Sequence, residues 1–186
     1  MRTALQQAYN TNNADDQLGE IHVEAIEWHS VLHQLETVDQ RMNKINLDSI
    51  RGLRTFFNEY LADVLYYFTP FHGQAILDAV SKQLNEAHAR FQVKYPGFHG
   101  PKIICGFSLG GIITYDLLAN QGPTQFCDKL HVFPPKITFK PDALFLFGCP
   151  IGAVLVMRGQ CPRTYNLEED CRLFNVFHVF DPLVQR

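Results

Sequence analysis

One serine in this sequence lies between two apolar runs and has a glycine two residues to either side. Gly106, Ser108 and Gly110 match the G-x-S-x-G pattern of a nucleophile elbow, a sharp turn from a strand into a helix. Such a turn strains the backbone of the serine, and the two glycines avoid clashes with the neighbouring element. The pattern predicts that Ser108 is a nucleophile and that the Leu109 N–H stabilises an oxyanion. The alternative is a closely packed turn without chemistry.

A serine nucleophile needs a base, and the base needs an acid that orients it. In this architecture the acid follows the serine along the chain, and a histidine follows the acid. Asp181 is the best acid candidate because it ends an apolar run, and the ends of strands gather the site of an open α/β sheet. The alternative is an aspartate that begins a turn before Pro182.

The histidine base has no clear candidate in this sequence. No histidine follows Asp181. His178 precedes Asp181 by three residues on a predicted strand, which would place the two side chains on opposite faces. A structural role for His178 is therefore the default interpretation, and we expect the chain to lack its catalytic base.

Apolar periodicity predicts two long helices after a first strand. Residues 21–28 alternate apolar and polar side chains, which indicates a half-buried strand. Residues 48–68 and 70–95 repeat apolar side chains every three or four positions, as amphipathic helices do. Thr69 is expected to cap the second helix with its hydroxyl, and Pro70 suits the first helical position.

The second half of the chain alternates short apolar runs with helical segments. Residues 101–106, 143–147 and 173–180 are predicted strands, and residues 109–120 and 151–157 are predicted helices. This alternation is typical of a parallel sheet covered by helices. The predicted fold class is therefore α/β.

Composition excludes several classes of function. With 186 residues and a net charge of −3, the chain suits one globular domain, and no basic cluster indicates nucleic-acid binding. No apolar segment approaches the roughly 18 residues of a membrane span, so we expect a soluble protein or one attached to a membrane from its surface.

Five cysteines without CxxC spacing predict reduced, mostly buried cytosolic thiols. His29 and His33 have the i, i+4 spacing of two metal ligands on a helix. They directly follow a predicted strand that ends at Trp28, so we do not expect them to bind a metal.

Four stretches of the sequence together resemble one protein family. They are VEAIEWHSVLH at residues 23–33, GFSLGG at 106–111, LFGCPIG at 146–152 and FNVFHVFDP at 174–182. In this content and order they resemble the DDHD-domain proteins, which are intracellular phospholipases A1 that prefer phosphatidic acid.

The resemblance implies a fold, an activity and a location. The fold would be α/β-hydrolase-like, and the activity would be that of a serine esterase on the sn-1 acyl chain of glycerophospholipids such as phosphatidic acid. The protein would be cytoplasmic and peripheral on organelle membranes. Ser108 takes the place of the nucleophile, and Asp142 and Asp181 match the two aspartates that begin the family name. The family name stands for four residues, Asp, Asp, His and Asp, which have also been interpreted as a metal site. A divalent ion is therefore implied by the resemblance alone, whereas the serine chemistry requires no cofactor.

The sequence departs from the family pattern in three places. Phe107 stands where the family usually has histidine, no His-Gly turn for the oxyanion hole precedes Ile21, and the family's histidine and final aspartate would lie beyond Arg186. We therefore expect residues 1–20 to be a poorly determined N-terminal segment and residues 21–186 to be a partial α/β-hydrolase or DDHD domain, incomplete at both ends.

Two functions remain open from the sequence. The first is a phospholipase A1-like serine hydrolase, of very low activity as an isolated chain because it lacks the histidine. The second is a non-catalytic, truncated hydrolase that binds lipid or a partner in membrane traffic. Residues 121–141 are an irregular predicted loop, and its segment 129–140 would then touch an anionic membrane. In this segment three lysines alternate with apolar side chains: Lys129, Lys136 and Lys140 with Val132, Phe133 and Phe139. A solvated connector is the other interpretation of this loop.

Overall fold

The computed structural model describes residues 21–30, 62–122, 127–161, 163–168 and 170–181. The elements there are α1 (Ala62–Tyr67), α2 (Pro70–Lys94), β1 (Ile103–Phe107), α3 (Leu109–Ala119), β2 (Ala143–Phe147), α4 (Ile151–Met157) and β3 (Arg172–Val176). In these ranges no helix combines the length and the apolar character that crossing a bilayer requires.

The three strands form one parallel sheet in the order β1-β2-β3. At their carboxyl ends Phe107 lies opposite Phe147, and Phe147 lies opposite Val176. The hydrogen-bond ladder continues one step further, because the Ser108 N–H donates to the Phe147 carbonyl and the Gly148 N–H donates to the Val176 carbonyl, both at 2.9 Å. The predicted parallel α/β sheet is confirmed, and the residues after β1 and β2 lie side by side at its carboxyl edge.

The core lies between the helices and one face of the sheet. Ile104, Leu144 and Leu146 are buried on this face. They belong to one apolar cluster with residues of α2, α3 and α4, including Ile76, Leu77, Ile112, Leu117 and Val154. Burial of these side chains holds the helices on the sheet, at about 1.5–3 kcal/mol for each large apolar side chain.

The opposite face of the sheet is apolar and partly open in the described part of the chain. Ile103 and Phe107 of β1 are 53% and 70% exposed, and every residue of β3 is exposed. Phe145 stacks on Phe174 across the strands, with ring centroids 4.5 Å apart. The run at 101–106, predicted to be buried, therefore alternates exposed and buried residues, because the described helices cover one face only.

Residues 21–28 form no strand, so that prediction is wrong. These residues instead pack along α2. The Glu27 N–H donates to Gln83 Oε1 at 3.0 Å, and Gln83 Nε2 donates back to the Glu27 carbonyl. The His22 ring lies 5.1 Å from the Phe91 ring, centroid to centroid. A side chain of the helix thus supplies the hydrogen bonds that a neighbouring strand would otherwise make.

Within the described residues, the ends of the observed helices agree with the predicted ends to within one residue. Residues 48–61 of the first predicted helix lie outside the described residues, and its end is α1. Pro70 begins α2 as predicted, but the Thr69 hydroxyl makes no cap and instead donates to the Tyr66 carbonyl at 2.8 Å. The strand predicted over 173–180 ends earlier, at Val176.

Glycines let α3 approach the sheet closely. A Cβ on Gly106 would lie 2.5 Å from the Gly111 Cα, and a Cβ on Gly111 would lie 2.8 Å from the Cys149 Sγ. Gly110 has no such constraint, because the nearest atom to its Cβ position is Trp28 Nε1, at 4.0 Å. The clash expected for a side chain at Gly110 is therefore absent, and the position that needs glycine is the next one, Gly111.

This packing predicts opposite effects of two similar substitutions. Gly106→Ala should lower the free energy of unfolding by about 1–3 kcal/mol, because backbone atoms of α3 must move. Gly110→Ala should leave that free energy unchanged or raise it by up to about 1 kcal/mol, since alanine favours a helix and has room here. Urea unfolding measures the free energy of unfolding of both variants. An equal decrease in the two would contradict the conclusion that α3 approaches the sheet closely at Gly106 but not at Gly110.

Candidate active site

Ser108 occupies the strained turn between β1 and α3. Its backbone has φ 50° and ψ −119°, and the residue is only 6% exposed. The turn is held on both sides, because the Ser108 N–H donates to Phe147 and the Ser108 carbonyl accepts the Gly111 N–H at 2.9 Å. Left-handed φ values are costly for residues other than glycine. The strained conformation predicted for a nucleophile elbow is therefore present.

Leu109 is the first residue of α3. The N–H groups in the first turn of a helix have no intrahelical acceptor, and the helix dipole places partial positive charge there. The Ser108 hydroxyl makes no capping bond to this turn. The arrangement suits an oxyanion beside Ser108, although the roles of Ser108 and Leu109 stay predictions.

Asp181 lies at the same edge of the sheet as Ser108. Its Oδ2 atom is 3.3 Å from the position of a Cβ on Gly148, the residue that follows β2. Gly148 has φ 54°, so glycine is favoured both by backbone conformation and by the carboxylate beside it. The structure thus brings Asp181 to the end of β2, next to the end of β1 where Ser108 lies.

His178 lies outside β3, in a turn that leads to Asp181. The His178 carbonyl accepts the Asp181 N–H at 2.9 Å, and the Nδ1 atom of the His178 ring accepts the Phe180 N–H at 3.3 Å. The side chains of His178 and Asp181 therefore do not lie on opposite faces of a strand as expected, because β3 ends at Val176. Among the described residues, no hydrogen bond joins the Ser108 hydroxyl to a histidine ring. His33, in the other histidine pair of the sequence, lies outside the described residues.

Asp142 lies at the opposite edge of the sheet from Asp181. Its carboxylate accepts the Lys102 N–H at 2.7 Å, and its carbonyl accepts the Arg172 N–H at 3.1 Å. It therefore joins the beginnings of all three strands. At about 3.3 Å per residue, β2 separates Asp142 from the turn beside Asp181 by roughly 20 Å.

This separation bears on the divalent ion implied by the resemblance. Metal–oxygen bonds are shorter than about 2.6 Å, so Asp142 and Asp181 do not fit as ligands of one ion in this arrangement. In the part of the chain that the structure describes, no group of three or more His, Cys, Asp or Glu side chains is placed to hold a metal.

The three lysines of the predicted loop have local partners. Lys140 contacts Asp170 at 2.8 Å and Glu168 at 3.4 Å. Lys136 donates to the carbonyls of Gln121 and Gly122 beyond the end of α3, and Lys129 lies 3.9 Å from Asp128. Lys129 and Lys140 thus lie beside carboxylates, which lower the net positive charge of this segment and favour a connector over a membrane-binding loop.

Sequence reasoning missed a buried polar cluster around Asp116. Asp116 is completely buried in α3 and accepts hydrogen bonds from Tyr67, Arg158 and Tyr165. Burial, reinforced by the negative charge of Asp116, raises the pKa of both tyrosines, so both donate as neutral phenols. The available signal was an aspartate inside the apolar run IITYDLL, since buried charges are rare unless they are paired.

All five thiols are free, but only two of them are buried. Cys127 and Cys149 are buried, Cys171 is intermediate, and Cys105 and Cys161 are exposed, which corrects the expectation of mostly buried thiols. Cys105 is exposed because it lies on the open face of β1. Burial raises the pKa of Cys149, beside Gly111, to about 12.

The pKa of Cys149 predicts that its thiol is inert at moderate pH. A raised pKa disfavours the thiolate, so at pH 8 only about one Cys149 in ten thousand would be ionised, against roughly a quarter of ordinary thiols. Iodoacetamide at pH 8 should therefore modify Cys161 at least about 100-fold faster than Cys149. Mass spectrometry of the intact folded chain measures this, and equal rates would contradict the close packing of Cys149 under α3.

The position of Asp142 predicts a structural effect and no metal effect. Asp142→Ala should lower the free energy of unfolding by about 0.5–1.5 kcal/mol, because the Lys102 N–H loses its acceptor, whereas Asp142→Asn keeps an acceptor oxygen and should lose less. Millimolar Mg²⁺ or Ca²⁺ should not raise the melting temperature of the wild type relative to Asp142→Asn. A rise confined to the wild type would show that Asp142 is a metal ligand.

Comparison with known proteins now identifies the family. The DDHD domain model matches residues 137–186. The chain is 36% identical over 177 residues to human triacylglycerol hydrolase DDHD2, an alignment that covers 95% of this chain and 22% of the relative. No solved structure matches.

Two further relatives have names of the same kind. The probable mitochondrial phospholipase YOR022C of Saccharomyces cerevisiae is 28% identical over 217 residues, covering 100% of this chain and 29% of its own length. The intracellular phospholipase A1 of Caenorhabditis elegans is 26% identical over 213 residues, covering 87% and 24%. The chain thus spans less than a third of each of these three relatives. With its DDHD match and these relatives, the chain belongs to the DDHD-domain proteins and is similar over most of its own length to proteins that are named as phospholipases and a triacylglycerol hydrolase.

Proposed function

We propose that this chain carries the nucleophile of a phospholipase A1-like serine hydrolase that cleaves acyl esters of glycerophospholipids. The observation that carries the proposal is the strained Ser108 turn, which directly precedes α3 and lies beside the end of β2, where Asp181 lies. The name of the C. elegans relative supports the phospholipase A1 class. A preference for phosphatidic acid, a cytoplasmic location and attachment to an organelle membrane surface rest on the family resemblance and belong to the same proposal.

The proposed reaction uses these residues in the order of a serine esterase. The Ser108 Oγ attacks the ester carbonyl while a histidine takes its proton, and the Leu109 N–H stabilises the negative oxygen that forms. Collapse of this intermediate breaks the bond to the glycerol oxygen, which takes the proton and leaves as a lysophospholipid. Water then releases the fatty acid from Ser108. Asp181 would orient the histidine, and no cofactor enters these steps.

We also propose that the 186-residue chain by itself is a very slow enzyme. Removal of one triad member typically costs several powers of ten in rate, and no histidine follows Asp181 in the sequence. The second candidate function is a non-catalytic chain that binds lipid through residues 129–140. The paired lysines of residues 129–140 weaken the version in which that loop meets the membrane.

A fluorophosphonate probe tests the assignment of the nucleophile. We expect slow covalent labelling of the purified chain at Ser108, located by peptide mass spectrometry. Ser108→Ala should abolish the labelling. Ser81→Ala, which alters another buried serine on α2, is the matched control and should leave the labelling unchanged.

Lipid assays separate the two candidate functions. Fatty acid release from phosphatidic acid vesicles should be several powers of ten below ordinary enzyme turnover and should depend on Ser108. Fast Ser108-dependent release would show that the chain contains its own base. An unlabelled chain that sediments with the same vesicles would contradict the hydrolase assignment and support lipid binding.

A further inference from the structure

Asp116 joins four separate parts of the structure inside the core. Its Oδ2 accepts the Tyr67 hydroxyl of α1 at 2.7 Å, and its Oδ1 accepts the Tyr165 hydroxyl at 2.7 Å. The Nη1 of Arg158, at the end of α4, donates to both carboxylate oxygens at 2.8 and 2.9 Å. Asn120, just beyond α3, donates to the Tyr165 hydroxyl at 2.7 Å and extends the cluster. We call these residues the Asp116 cluster.

The Asp116 cluster is too deeply buried to be explained as a surface ion pair. Asp116 is fully buried, and the Arg158 side chain is 6% exposed, with its guanidinium 4.7 Å from the centre of the Phe68 ring. Buried ion pairs often contribute little net stability, because removal of both charges from water costs about as much as their attraction returns. What such a pair does impose is geometry, since each hydrogen bond is satisfied in one arrangement of the helices only.

The cluster lies at the far ends of the two helices that begin at the candidate site. α3 begins at Leu109, after Ser108, and α4 begins at Ile151, shortly after the Gly148 turn that contacts Asp181. Near their beginnings the two segments meet where Gly111 packs on Cys149. Near their ends they meet where Asp116 binds Arg158. Two separate contacts therefore define how α3 lies against α4.

We propose that Asp116 and Arg158 are a positioning pair for Ser108. By fixing the rotation and axial position of α3 against α4, the pair holds the Ser108 turn in its strained conformation next to the Gly148 turn. Tyr67 and Tyr165 complete the acceptor capacity of Asp116 and attach α1 and the segment after α4 to the same point. The conformational part of this inference stands by itself, whereas its consequence for catalysis rests on the proposed function.

Local hydrogen exchange of the intact chain tests the conformational part. Tyr67→Phe removes one donor to Asp116 and little volume, and Tyr66→Phe makes the same change on the same helix outside the cluster. We expect Tyr67→Phe to raise amide exchange in residues 108–113 about tenfold, the effect of losing one hydrogen bond to a charged group, without raising exchange in residues 76–84 of α2. Tyr66→Phe should change neither segment.

A stronger variant and a functional measurement complete the test. Asp116→Asn leaves Arg158 without its counter-charge and should raise exchange in residues 108–113 further, and Asp78→Asn on the surface of α2 is its control. In samples shown by urea titration to be folded, fluorophosphonate labelling of Ser108 should slow about tenfold in Tyr67→Phe and Asp116→Asn. The inactivation constant should fall while the probe concentration at half-maximal rate stays the same, because the serine is displaced and the binding surface is not.

The outcomes separate this inference from the proposed function. Unchanged exchange in residues 108–113 would overturn the positioning role, as would an equal rise in α2, which would indicate a loss of stability only. If Asp116→Asn does not fold, Tyr67→Phe decides the question. If the wild-type chain is not labelled at all, the nucleophile assignment fails, and the exchange data still decide whether the Asp116 cluster holds the turn.

Discussion

The close approach of α3 to the sheet is the constraint on which the candidate site depends. Gly106 on β1 and Gly111 on α3 leave no space for a Cβ at either position, so the strand must turn into the helix almost at once. That abrupt turn forces Ser108 into the left-handed region of φ. The strain is held by backbone hydrogen bonds on both sides of the serine and by the buried apolar residues of α3.

Parallel strands in register bring the chemistry to one edge. Because β1, β2 and β3 point the same way, the residues that follow them become neighbours although they are far apart in sequence. Ser108 follows β1, Gly148 follows β2, and Asp181 returns from the turn after β3 to lie against Gly148. Asp142, at the opposite edge, joins the beginnings of the same strands. The two aspartates that match the family name by resemblance therefore lie at opposite edges of the sheet. Asp142 makes structural contacts to the beginnings of the strands, whereas Asp181 lies at the edge that carries Ser108.

The helices carry a second, polar constraint behind the apolar one. Asp116 lies among apolar neighbours in α3 and is compensated by donors from three other segments. An apolar residue at this position would pack against many arrangements of α1 and α4, whereas a buried carboxylate accepts few.

The sequence by itself determined the local elements and the elbow. The bounds of β2 and α4, Pro70 at the start of α2 and the strained conformation of Ser108 all follow from apolar periodicity, from proline and glycine, and from one short motif. Only the tertiary structure decided which surface each pattern meets. Residues 21–28 pack on α2 and form no strand, and the close approach to the sheet lies at Gly111 and not at Gly110. The three side chains that donate to the Asp116 carboxylate lie 42 or 49 residues away from it in the sequence. Periodicity reports that a side chain is buried, but it does not report against what, because that choice is made by contacts between segments far apart along the chain.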